Sequence, residues 1–458
     1  MSTHLRMPHA LVMMLIVISA AVALTYVIPS GTYDRTPDGL VVPGSFRTVP
    51  KDIAGGLRHV RKSTATMAYP AHPVAVVTSI PAGLARTAPL VFMILFVGAM
   101  FGVLQQSGAL EAGIERLLTL TRGNVYVVAP TVMVLLAAGG SFLGLISEYL
   151  VLIPIAVLLA ERMGYDALFG TAMVTIAAKI GYLTSVTNPL ALAVAQPLVG
   201  VPVFSGALFR AVTFIVFLPL GIWYLLRSAR ERRVGAAATA FEARSLGGRH
   251  IAVLLVVLVA VIAMIVGVRS YAWGNPELSA MYIVVALAIA VVGAIPSRDA
   301  AQAFLRGMQG MLLAGVLVGL AAAVEVVLRE SMVLDSIVAY LSGVVAGKSP
   351  SLVAVAMMGV QMVIDVFIPS TSGKAAITMP ILGPIAHISG VSGQVTVQAF
   401  LFGNGLMNTL TPTSGMLLAY LAAGKVSYGA WIRFVMPLAL MLLGLCAVAL
   451  LIAVAIGL

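Results

Sequence analysis

The sequence predicts an all-α polytopic membrane protein made of two inverted repeats with re-entrant hairpins and broken helices. Three observations predict it: apolar runs of bilayer length, a match between the two halves, and proline-bearing polar breaks at corresponding places.

The first observation is compositional. Of 458 residues, 61% are hydrophobic and 9% charged, and the mean hydropathy is +1.08. A soluble domain is about 25% charged. A chain this apolar cannot cover its surface for water at this size. Runs such as "ALVMMLIVISAAVALTYVI" (10–28), "IAVLLVVLVAVIAMIVGV" (251–268) and "AMYIVVALAIAVVGAI" (280–295) each approach the roughly 20 residues that span a bilayer as a helix. A membrane β-barrel would instead show short alternating segments. Ala21–Val22–Ala23 resembles a signal cleavage site. The apolar run before it exceeds the roughly 7–15 residues of a secretory signal, so it is kept as the first span. The single Cys446 lies in the last apolar run, which leaves no disulfide framework. In a soluble protein the net charge of +11 would suggest nucleic acid. Here it points to loops facing an inner leaflet, with the lipid bilayer as partner and no nucleic acid.

The second observation is internal. "RSARERRVGAAATAFEARSLGGRH" (227–250) sets Arg227, Arg230, Arg232, Arg233, Arg244 and Arg249 against Glu231 and Glu242. Basic loops stay inside, so this loop is expected to be cytoplasmic. It separates residues 1–226 from 251–458. Shifting the first half by 226 places "PIAVLLAERMG" (154–164) on "PILGPIAHISG" (380–390) and Thr187 on Thr413. A shift of 224 places "SGALEAGIERL" (107–117) on "SMVLDSIVAYL" (331–341). Counting spans puts 10–28 outward, 88–106 inward, 251–268 outward, 280–296 inward and 307–328 outward. The matched spans 88–106 and 307–328 then run in opposite directions. Inverted repeats of this kind mark many secondary transporters. On this map the N-terminus is cytoplasmic and the C-terminus external, in the cytoplasmic membrane. The external segment 29–70 carries Arg35, Arg47, Lys51, Arg58, Arg61 and Lys62 against Asp34, Asp38 and Asp52, against the positive-inside trend.

The third observation is the set of polar breaks. "GGSFLGLISEY" (139–149) and "DVFIPSTSGKAA" (365–376) each interrupt an apolar run. Arms of roughly 15 residues are too short to span comfortably, so each run reads as a re-entrant hairpin with its tip at the interruption. The tips are expected to meet near the midplane. Span 166–199 is then broken at "TSVTNP" (184–189) and span 393–424 at "TLTPTSG" (409–415). Pro189 and Pro412 each remove a backbone donor and disfavour helix before them. Irregular backbone at membrane depth persists only inside protein or along a wet cavity. Free N–H groups at half-helix starts suit anions, and free carbonyls suit Na⁺.

The expected substrate site therefore gathers Ser147, Glu148, Thr187, Asn188, Ser370, Thr371, Ser372, Lys374, Thr413 and Ser414. The expected coupling-ion site gathers Thr184, Ser185, Asn404, Asn408, Thr409 and Thr411, with Na⁺ or H⁺ as the ion. No other metal and no cofactor is expected. Ionisable groups at depth are costly and tend to be functional. Glu148 and Lys374 fall on the same repeat position, so they could pair, or hold the two ends of a zwitterion. Lys179 and Asp365 are further candidates. Glu325 and Glu330 read as interfacial, and His387 as solvated. The chain has no HExxH, GxSxG or CxxC, and "GVVAGKS" (343–349) is one residue short of a phosphate loop. An enzyme is not expected. A channel or a membrane-embedded receptor without carrier activity is the alternative reading.

At these residues the chain resembles a known family. "IPSGTYDR" (28–35), "VPGSF" (42–46), "NPLALAVAQPLVGVPVFSG" (188–206), "IPSTSGKAAITMPI" (368–381), "TPTSG" (411–415) and "WIRFVMPL" (431–438) resemble the YfcC branch of the anaerobic C4-dicarboxylate carrier (DcuC-like) family, within the ion-transporter superfamily. The resemblance implies an elevator-type carrier with a scaffold of 10–122 and 251–346. It implies a transport part of 124–203 and 351–424, and a homodimer. It implies a small organic anion, C4-dicarboxylate-like, or an amino acid as substrate, moved with an ion or by exchange. The tips here read "LISEY" and "STSGK", where the better-known dicarboxylate carriers have Ser-Asn-Thr.

Overall fold

The computed structural model describes residues 10–37, 40–235, 247–271, 273–345 and 347–458. Asp38, Glu242 and Arg244, counted in the charge argument, lie outside the described residues.

The elements follow in order. The N-terminal helix α1 (Ala10–Val27) leads to an antiparallel ribbon of β1 (Gly31–Thr32) and β2 (Arg47–Thr48), with Gly31 opposite Thr48. Then come α2 (Ile53–Arg58), α3 (Ala75–Arg86), α4 (Ala88–Gln106) and α5 (Ala109–Thr121). The first hairpin is α6 (Val125–Ala138), a π-turn Gly139–Leu143, a 3-10 turn Ser147–Val151 and α7 (Leu152–Arg162). The first broken helix is α8 (Ala167–Thr184) with α9 (Pro189–Ala195), followed by α10 (Ala207–Ser228). The second half runs α11 (Gly248–Ser270), α12 (Asn275–Val292), α13 (Ser297–Glu330) and α14 (Leu334–Gly343). The second hairpin is α15 (Pro350–Phe367) and α16 (Thr371–Ile388), the second broken helix α17 (Gly393–Met407) with α18 (Gly415–Ala423), and the chain closes with α19 (Tyr428–Ala455).

Among the described residues, nine helices are long and apolar enough to cross a membrane. The protein is an all-α polytopic membrane protein. The breaks fall at the prolines. Helix α8 ends at Thr184, and Pro189 takes the first position of α9, where a missing N–H costs nothing. Polar caps start the long central helices: Asp166 accepts from Phe169 N at 2.8 Å and Ser392 from Val395 N at 3.2 Å. The hairpin arms correct one expectation. The π-turn extends α6 to a 19-residue apolar stretch, and α15 and α16 have 18 residues each. Only α7, at 11 residues, is shorter than the expected arm. In the first hairpin the π-turn Gly139–Leu143 keeps the stretch continuous where the Gly139–Gly140 pair suggests a stop.

Two bodies result. In the first, α4 and α3 cross α13 in antiparallel register: Gly83 lies on Gly319, Gly98 on Gly307 and Gly102 on Ala303. The approach is so close that a Cβ on Gly307 would lie 2.1 Å from the carbonyl oxygen of Gly98. The polar segment after α1 is strapped to the start of α14. Arg35 Nη2 donates to both carboxylate oxygens of Asp335 at 2.8 and 2.9 Å, and Tyr33 N donates to Asp335 Oδ2 at 3.1 Å. Arg47 pairs with Asp34 at 2.7 Å, and Lys51 Nζ donates to Thr25 O at 2.7 Å. These positive charges on the expected external side are thus tied to local partners.

In the second body, α8 is buried at every residue from Leu168 to Thr184 and packs on α17, buried from Val395 to Leu406. Helices α6, α7 and α10 surround α8, while α15 and α19 pack on α17. The bodies meet where α13 lies along α18. A Cβ on Gly415 would come within 3.2 Å of Val318 Cα.

Candidate functional site

The second hairpin and second break build one connected polar network. Lys374, in the first turn of α16, is fully buried and donates from Nζ to Asp365 Oδ1 and Asn404 Oδ1, each at 2.7 Å. Asp365 Oδ2 accepts from Asn408 Nδ2 at 2.8 Å, and Asn408 Nδ2 also reaches Asn404 Oδ1 at 3.1 Å. Asn408 Oδ1 accepts from Ser414 Oγ at 2.8 Å. Asn404 Nδ2 turns the other way, to Thr371 Oγ1 at 3.1 Å and to Tyr182 OH. Tyr182, on α8, also meets Thr371 Oγ1 at 2.7 Å, which ties the two halves of the chain together. Buried polar groups are stable only when satisfied, and here nearly every donor and acceptor finds a partner.

This network ends at a cavity of about 420 Å³ between the two bodies, lined among others by Arg86, Glu325, Ser370, Asn408, Thr413 and Ser414. Two helix starts face it. Ser370 caps α16, accepting from Gly373 N at 3.3 Å, and Ser414 caps α18, accepting from Leu417 N at 3.4 Å. On the wall formed by α3 and α13, Glu325 Oε1 accepts from Arg86 and from Arg329, each at 2.7 Å. A larger cavity of about 560 Å³ opens at the opposite end of the same interface, beside Gln105, Glu161, Arg306 and Lys425.

The first break is arranged differently. Ser141 Oγ meets Thr184 Oγ1 at 3.0 Å and accepts from Val186 N at 3.0 Å. Thr187 donates through N to Ser141 O at 3.1 Å and through Oγ1 to Phe142 O at 3.0 Å. Asn188 caps α9 through Leu190 N at 3.0 Å and donates to Ser185 Oγ at 3.2 Å. The buried Arg210 of α10 donates from Nε to Val186 O at 3.2 Å. Glu148 is buried and accepts from Ile146 N at 2.9 Å. Ser147 is partly buried beside it.

Each tip is braced by the short half-helix of the other half of the chain. Tyr420 of α18 donates to Ile146 O in the first tip. Helix α16, which leaves the second tip, packs Ala375 and Met379 against Ala191, Leu192 and Ala195 of α9.

Of the expected substrate residues, Ser370, Thr413 and Ser414 line the smaller cavity, and Thr371 and Lys374 lie behind it, linked to Asn408 on its wall through Asn404 and Asp365. Ser372 is exposed at the start of α16. Ser147, Glu148, Thr187 and Asn188 do not line that cavity. Glu148 and Lys374 do not pair: Asp365, nine residues before Lys374 across the tip, takes the ammonium instead. Of the expected ion residues, Asn404 and Asn408 join the network. Thr184 and Thr409 bond back to Ile180 O and Gly405 O of their own helices, and Ser185 to Tyr182 O. Thr411 meets Thr413 at 2.7 Å. Two carbonyls expected to be free at the second break are taken, Thr409 O by Trp431 Nε1 at 3.0 Å and Leu410 O by Tyr428 OH. Glu325, expected to be interfacial, is 7% exposed at its side chain and faces the cavity. Tyr182, Arg86, Arg210 and Trp431 were not expected at all.

The family described as C4-dicarboxylate anaerobic carrier matches residues 7–455. Among curated proteins, the chain is 29% identical over 369 residues to the "Putative basic amino acid antiporter YfcC" of Escherichia coli (strain K12), covering 75% of this chain and 73% of that protein. It is 26% identical to an "Uncharacterized protein" of Haemophilus influenzae, over 94% of each chain. Solved structures similar to it include the Alcanivorax borkumensis YdaH transporter (TM-score 0.45, 18% identity, 98% of this chain and 99% of that one). They also include Neisseria gonorrhoeae MtrF, described as illuminating a class of antimetabolite efflux pumps (TM-score 0.45, 16% identity, 98% of this chain and 95% of that one).

Proposed function

The chain belongs to the C4-dicarboxylate anaerobic carrier family and is a multi-pass membrane transporter, and on that premise we propose that it is a secondary carrier for a small carboxylate-bearing solute. The observation that carries this reading is that two helix starts, at Ser370 and Ser414, line one cavity between the bodies. Helix starts present free N–H groups and a partial positive charge, which suit a carboxylate. Charge balance supports it. Among the described residues, the buried ions of the second body are Lys179, Arg210 and Lys374 against Glu148 and Asp365. One carboxylate in the cavity offsets the spare cation, and an uncompensated charge at membrane depth is costly. Both an organic dianion and an amino acid carry that carboxylate.

In this reading the second body carries the solute while the scaffold stays fixed. The cavity beside Glu325 opens to the outside of the cytoplasmic membrane, and the cavity beside Arg306 opens to the cytoplasm. Sliding α18 along α13 would move Ser414 from one towards the other, an elevator motion. The tight Gly98–Gly307 crossing supports a rigid stator. Two scaffolds anchored as a homodimer would resist that motion.

An amino acid is favoured over a dianion by one feature: both arginines on Glu325 bond Oε1. The second oxygen is left to receive an ammonium group. The test is counterflow into liposomes with purified protein, using dicarboxylates, basic and neutral amino acids and dipeptides. Saturable counterflow of one carboxylate class supports the carrier. Current without saturation points to a channel, and binding without flux to a receptor; either removes this reading.

A further inference from the structure

We propose that the ammonium of Lys374 fills the cation position of the second hairpin, so that no Na⁺ binds there and none is needed there for transport. The proposal deepens the carrier reading, and it rests on that reading for its consequence on flux.

The geometry is that of an oxygen cage. Nζ is held by a carboxylate oxygen (Asp365 Oδ1, 2.7 Å), an amide oxygen (Asn404 Oδ1, 2.7 Å) and a main-chain carbonyl (Gln361 O, 3.5 Å). An ammonium has three protons and no acceptor, so three oxygens satisfy it. Carboxylate, amide and carbonyl oxygens are also the donors that hard metal cations take. The cage is built by α15 and α17, which are packed together, and the lysine is thrust into it from α16. Phe400 covers it, with Nζ 5.3 Å from the ring centroid. Lys374 and Asp365 side chains are both 0% exposed. Gln361 carries in addition a buried side-chain Oε1 with no partner. A cation and the chain's own ammonium cannot occupy this space together.

The cage is one hydrogen bond from the cavity wall, because Asp365 Oδ2 holds Asn408, and Asn408 holds Ser414. A cation there therefore orients the residues that face the solute. In a carrier driven by Na⁺, the ion would supply that orientation only when bound. Here it is permanent.

Removing the lysine side chain leaves the cage negatively charged and empty, which predicts a gain of Na⁺ binding. Thermal unfolding of detergent-purified protein is compared in NaCl and choline chloride at equal ionic strength. Wild type is expected to melt at the same temperature in both. Lys374→Ala is expected to melt lower in choline and to recover as Na⁺ rises, the shift growing with the logarithm of Na⁺ concentration. Lys374→Ser, which adds a hydroxyl oxygen to the cage, is the second variant, in case Lys374→Ala is not obtained folded. Folded protein recovered only when Na⁺ is present during purification supports the proposal equally. Na⁺-specific stabilisation of the wild type overturns it. So does the absence of a Na⁺-specific response in both variants, folded or not. These readouts need no transported solute, so a failed counterflow panel would sink the carrier reading and leave this one standing.

Discussion

Ser414 and Asn408 stand on opposite sides of the second break and are joined by a 2.8 Å hydrogen bond from Ser414 Oγ to Asn408 Oδ1. The same serine oxygen accepts from Leu417 N at the start of α18. One hydroxyl thus caps a helix, closes the break and lines the cavity. Ser414→Ala is expected to cost about 1 kcal/mol as a lost cap. It is also expected to lower uptake at least tenfold, because the cavity loses the hydroxyl and Asn408 Oδ1 loses its donor. Uptake by reconstituted protein, set against melting temperature, separates the two effects. Normal uptake would remove Ser414 from the site.

Asn188 offers the contrast. It caps α9 and bonds Ser185, but it does not line the cavity between the bodies. The sequence alone suggests that Asn188→Ala and Ser414→Ala fail alike. The structure separates them: Asn188→Ala is expected to lower the melting temperature while leaving the apparent affinity for solute unchanged in protein that folds. A raised KM would return Asn188 to the solute's path.

The buried pair of Lys374 and Asp365 is expected to couple strongly. Removing one partner of such a pair costs about 3–5 kcal/mol, because it strands the other charge. Asp365→Asn is therefore expected to be markedly destabilised. The double variant Asp365→Asn with Lys374→Met is expected to regain more than half of that loss. Denaturation in detergent measures all of them, and an additive double variant would mean that the pair is not an energetic unit.

Val318 on α13 and Gly415 on α18 touch across the two bodies. Replacing both by cysteine should permit an oxidised crosslink, since it places the Cβ atoms near disulfide reach. The native Cys446 is buried and does not compete. Oxidation is expected to stop uptake and reduction to restore it. Undiminished uptake in fully crosslinked protein would rule out sliding at this interface.

Where α4 crosses α13, Gly307→Ala forces a methyl group to within 2.1 Å of the Gly98 carbonyl. Such overpacking costs about 1–3 kcal/mol. A substantial fall in melting temperature is expected, whereas Gly310→Ala, with open space around its Cβ position, is expected to be near neutral.

What the sequence made legible follows from the physics of lipid. A missing backbone partner is intolerable there, so Pro189 and Pro412 announced breaks that the structure places beside Thr184 and Met407. The partners across the chain were not legible. Nothing local tells that Tyr182 will meet Thr371, or that Trp431 will cover Thr409 O. The Asp365–Lys374 pair could have been found, since opposite charges flanked one tip nine residues apart. The repeat alignment drew attention to Glu148 instead, because it compares positions and carries no information about distance. Arg86 gave a signal too: a lone charge immediately before an apolar span needs a partner, and Glu325 is that partner.

The ammonium of Lys374 is bonded to the chain that carries it. A tethered ion crosses with the carrier and returns with it, delivered to neither compartment. It can shape the site on every passage, yet no gradient runs down through it. The direction of net movement must then be set elsewhere, by the solutes that exchange places across the bilayer or by an ion bound at another group.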